Sequence, residues 1–106
     1  MAKSSEPPTE AAEALEWVRE AAANGRHIID EHYYKRCRQR RISPQAWRRV
    51  IKTATSCTAY VPENGPLAGG TSWRIVGLDF DEEETAVGVE TFADHLGRRA
   101  LLITVF

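Results

Sequence analysis

One stretch of this sequence has residue types at a spacing that could do chemistry: Glu31-His32-Tyr33-Tyr34-Lys35-Arg36-Cys37-Arg38-Gln39-Arg40. His32, Arg36 and Arg40 stand at i, i+4 and i+8. At about 100° per residue on a helix they fall within roughly 80° of arc, so they form one row along one face. The row joins a group that titrates near neutrality to two permanent cations. Such a row suits a phosphodiester. An imidazole can move a proton, while guanidinium forks hold phosphate oxygens and the charge that develops on them. The bland reading of the same row is a solvated helix face, or arginines paired with some of the chain's 15 acidic residues.

Other residues could complete such a site. Arg74 lies between Trp73 and Ile75, where an unpaired charge would be costly. Thr104 interrupts an otherwise apolar run. Each could face a polar site or a satisfied ladder position; with Tyr34 they are the candidate substrate contacts. His27 and His95 stand alone and read as surface or capping residues. No cluster has metal-ligand spacing, and no Ser or Cys sits in a nucleophile motif. Cys37, one turn after Tyr33, reads as a small buried apolar group. The glycines of 65–70 lack the Lys-Ser/Thr of a phosphate-binding loop. No cofactor is implied, and Trp17, Trp47 and Trp73 read as core anchors.

The elements that must position these residues follow from pattern. A chain of 106 residues, 42% hydrophobic and 27% charged, is one ordinary globular domain. Residues 1–8 read as a frayed leader and 9–106 as the domain. Thr9 is a plausible cap for a helix over 10–23, with Leu15, Val18 and Ala22 as its apolar stripe. Residues 26–29 read as a connector, and Asp30 caps a second helix over 31–40. Ser43-Pro44 opens a third, in which Trp47, Val50, Ile51 and Ala54 share one face. After Ser56 the hydrophobic period changes to two. Strands are expected over 58–61, 73–80, 86–92 and 100–106, the last central and covered on both faces. Helices first and strands last predict an α+β fold: N-terminal helices packed on one face of a C-terminal antiparallel sheet of three or four strands. Trp47, Val50, Ile51, Ile75, Val89 and Ile103 are expected in the core.

The net charge of −1 conceals an asymmetry. Residues 26–52 hold nine Lys or Arg against two acids, whereas the flanking segments are both acidic. The middle of the chain is therefore expected to attract anions. No apolar run approaches the roughly 20 residues that span a bilayer. The N-terminus lacks the apolar core of a secretion signal, and two distant cysteines make no disulfide scaffold, which together suggest a cytoplasmic protein.

The pattern His32-x-x-x-Arg36-x-x-x-Arg40-x-Ile42-Ser43, an amphipathic helix, a Trp73-Arg74-Ile75 strand and a terminal Leu102-Ile103-Thr104-Val105 strand resembles a small bacterial His/Arg family labelled a domain of unknown function. The likeness covers residues 27–106. That family is in turn distantly similar to BrnT toxins and to RelE-like and barnase-like ribonucleases. The resemblance implies a metal-independent endoribonuclease of the toxin type acting on RNA, with a possible antitoxin-like protein partner. His32 would be the general acid or base, and Arg36 and Arg40 would clamp the scissile phosphate. The competing expectation is a non-catalytic module that docks its basic helix on nucleic acid or on an acidic protein. Geometry separates the two: the enzyme needs His32, Arg36 and Arg40 to converge with Arg74 or Thr104 in one concave site.

Overall fold

A computed structural model describes residues 6–106. Of the expected leader, residues 1–5 lie outside the described residues; Pro8 is buried, and its carbonyl accepts the Thr71 hydroxyl at 2.9 Å. Helix α1 (Ala11–Ala23) turns Ala14, Trp17, Val18 and Ala21 inward, with Leu15 and Ala22 on the flanks of that face. The Trp17 indole N–H donates to the Arg99 carbonyl at 2.8 Å, which fixes α1 against the last strand. Gly25, at φ 66°, makes the turn after it, a left-handed conformation that glycine adopts without strain.

The connector at His27 is a strand, β1 (His27–Ile29), followed by α2 (Glu31–Arg40) and α3 (Ala46–Lys52). The Asp30 carboxylate accepts the His32 backbone N–H at 3.0 Å, the N-cap expected from sequence. Arg41 closes α2 in the left-handed region at φ 56°. Ser43 and Pro44 form a turn just before α3, which begins at Ala46. Four strands follow: β2 (Ser56–Ala59), β3 (Thr71–Leu78), β4 (Glu84–Asp94) and β5 (Gly97–Val105).

The result is an α+β fold with the helices packed on a sheet ordered β1-β5-β4-β3-β2. The last four strands pair antiparallel, and β1 adds a fifth, pairing parallel with β5 from His27↔Ala100 to Ile29↔Leu102. That fifth strand makes β5 internal. Leu102 is fully buried, and Leu101 is 8% exposed. Between sheet and helices lies one core containing Val18, Tyr33, Cys37, Trp47, Val50, Ile51, Trp73, Ile75, Val87, Val89 and Leu102. The six expected core residues are all buried, though Ile103 lies outside that cluster. On β3, Trp73 and Ile75 face the helices, so Arg74 between them faces the other way.

Candidate functional site

Of the row His32, Arg36 and Arg40, only the middle residue reaches the sheet. Tyr33 and Cys37 point inward, and His32 and Arg36 each stand one residue, about 100° of helix, before them. His32 is exposed, and its ring makes no hydrogen bond among the described residues. Arg36 is half-buried: its Nε donates to the Val105 carbonyl at 3.1 Å and its Nη1 to Gln39 Oε1 at 3.1 Å. It ties α2 to the end of β5. Arg40 is exposed and has no bonded partner among the described residues.

Arg74 and Thr104 lie on the opposite side of the sheet. They stand in register through Gly88, as Arg74↔Gly88↔Thr104, so all three share the face that the helices leave open. There the Arg74 guanidinium lies 5.6 Å from the Phe106 ring, and Tyr60 meets that ring edge-on at 5.3 Å. A Cβ at residue 88 would come within 2.7 Å of the Tyr60 hydroxyl, so glycine makes room for the tyrosine. The Thr104 hydroxyl donates to the neighbouring Val105 carbonyl at 3.3 Å. The six residues expected to share a site are therefore divided: four on α2 in the helical layer, two across the sheet.

The other exposed row of α2 has the more developed surroundings. Tyr34 and Arg38 stand at i, i+4, and Tyr34 is 39% exposed, its ring fixed edge-on to buried Tyr33 at 6.0 Å. Tyr34 walls a hollow of about 180 Å³ with His27, Ile29, Pro44, Gln45, Trp47 and Arg48. At its rim the Arg48 guanidinium lies 4.5 Å from the Trp47 ring, and its Nη2 lies 3.3 Å from His27 Nε2. The imidazole is itself 4.8 Å from Trp47. Burial, then the charges of Arg48 and Arg99, hold the His27 pKa below its ordinary value. The neutral ring can accept from Arg48 at Nε2, which places its proton on Nδ1, buried and unpartnered.

Among the described residues, the exposed cations of α2, α3 and the turn between them have no carboxylate partner: Lys35, Arg38, Arg40, Arg41, Arg48 and Lys52 all lie beyond ion-pair distance of one. Arg98 and Arg99 on β5, by contrast, pair with Glu20 and Asp94 at 3.4 and 2.6 Å. No group of His, Cys, Asp or Glu among the described residues could hold a metal, and no helix among them is long and apolar enough to cross a membrane. In the sequence His27 stands isolated, because the residue that meets its ring, Arg48, comes from α3, 21 residues on. The legible signal was Trp47-Arg48, an aromatic and a cation side by side at the head of a helix. Comparison with family models, with curated proteins and with solved structures finds no match to this chain.

Proposed function

We propose that this domain binds single-stranded RNA through the exposed side of α2 and the start of α3. The observation that carries the reading is the set of exposed cations with no carboxylate partner among the described residues, Lys35, Arg38, Arg40, Arg41 and Arg48, in a chain whose acids outnumber its Lys and Arg. Exposed charges of one sign not neutralised by carboxylates are what a phosphate backbone neutralises, with release of its counterions. Tyr34 favours RNA over an acidic protein, because an exposed ring beside cations gives an unstacked base a platform. It also favours a single strand over a duplex, whose bases are already stacked.

The ribonuclease reading stands second, since it needs the α2 row to meet Arg74 or Thr104 and these lie on opposite faces. The test is a binding titration with labelled RNA, the same sample then run on a denaturing gel. Binding without cleavage supports the proposal. Cleavage that His32→Ala abolishes in a folded protein restores the enzyme reading. No RNA binding, with capture of an acidic protein instead, overturns it in favour of a protein-docking module.

A further inference from the structure

The hollow beside Tyr34 has a chemistry of its own. Gln45 Oε1 accepts the Ser43 hydroxyl at 2.9 Å, which fixes the amide and leaves its two N–H donors without partners among the described residues. Arg48 contributes guanidinium N–H groups at the rim beyond the one near His27. The Pro44 carbonyl, the obvious backbone acceptor on this wall, already accepts the Tyr33 hydroxyl at 3.0 Å. The Tyr34 ring closes one side. A hollow of about 180 Å³ with an aromatic wall and a surplus of donors suits a flat ligand that presents acceptors at its edge.

Resting on the RNA reading above, we infer that this hollow is a base subsite that seats one unstacked uracil of the bound strand against Tyr34, with Gln45 donating to a ring carbonyl. The choice among pyrimidines follows from the donor pattern. Uracil carries a carbonyl acceptor at C4 where cytosine carries an amino donor. A cytosine edge would set donor against donor at Gln45, and an unpaired donor at a desolvated contact is penalised. Arg48 at the rim is placed for the phosphate that follows the seated base, and Arg38, one turn along α2 from Tyr34, for the next.

The test compares 12-nucleotide U and C RNAs by fluorescence anisotropy at two salt concentrations, with wild type, Tyr34→Ala, Tyr34→Phe, Gln45→Leu and Arg38→Ala. Wild type should prefer U to C by about tenfold. Tyr34→Ala should lose about tenfold on U with the salt slope unchanged, because stacking releases no counterions, and Tyr34→Phe should restore most of the loss. Gln45→Leu should bring U and C within about twofold of one another, the difference of one donor having gone. Wild-type affinity in Tyr34→Ala and Gln45→Leu, while Arg38→Ala weakens binding, would overturn the subsite and leave the RNA reading intact. Equal affinity for uridine monophosphate alone would assign the hollow to a free nucleotide and overturn the strand subsite. No binding of either RNA by wild type would overturn both readings.

Discussion

The guanidinium of Arg48, on α3, reaches across the Trp47 ring to lie 3.3 Å from Nε2 of His27, on β1. The contact joins the start of the third helix to the edge strand and forms the rim of the hollow on which the functional reading rests.

That contact has a pH signature. Burial and two nearby guanidinium groups keep the folded-state pKa of His27 below its ordinary value of 6.5. As pH falls below that value the unfolded chain takes up the proton first. The stability contribution is therefore present above about 6.5 and lost as pH falls through the lower folded-state value. Melting temperature should drop between pH 7.5 and 5.5, and His27→Gln should drop less over the same interval. Equal drops would contradict the assignment.

Arg36 should act on stability more than on binding. Its Nε–H holds the Val105 carbonyl, and a hydrogen bond from a charged donor is worth about 1.5–3 kcal/mol. Arg36→Ala should lower unfolding free energy by about 1–2 kcal/mol in a denaturant titration. The folded variant should lose less RNA affinity than Arg38→Ala. A fully stable Arg36→Ala protein that loses more would return Arg36 to the binding site.

Glu90 anchors the long β2–β3 connection. Fully buried on β4, its carboxylate accepts the backbone N–H groups of Leu67, Ala68 and Gly70 at 2.6, 2.8 and 2.9 Å. Glutamine keeps the shape but turns an N–H₂ toward those donors. Glu90→Gln should cost about 2–3 kcal/mol and speed hydrogen exchange at residues 67–70. Unchanged exchange there would show that other contacts hold the loop.

The fold class was legible because its signals are local. Asp30 caps α2 as its type suggests, and the change of period after Ser56 marks where helices give way to strands. The strand β1 was not legible. Three residues carry no periodicity, and what makes them a strand is the edge of β5, more than 70 residues away. The division of the candidate site has the same origin. Spacing set His32, Arg36 and Arg40 in one row, but only the docking of Tyr33 and Cys37 decides that Arg36 meets β5 while Tyr34 looks out over α3. Arg74 and Thr104 share a face by register, which a single strand's sequence does not reveal.

RNA binding through exposed cations is electrostatic and is tested most directly by the salt dependence of affinity. For a 12-nucleotide U RNA, log Kd should rise linearly with log salt, each neutralised phosphate contributing about 0.7 to the slope. The triple variant Lys35→Gln/Arg38→Gln/Arg48→Gln should weaken binding and lower the slope by about 2. Arg74→Gln, on the far face, should change neither. A wild type whose affinity ignores salt, or a triple variant indistinguishable from it, would contradict the account.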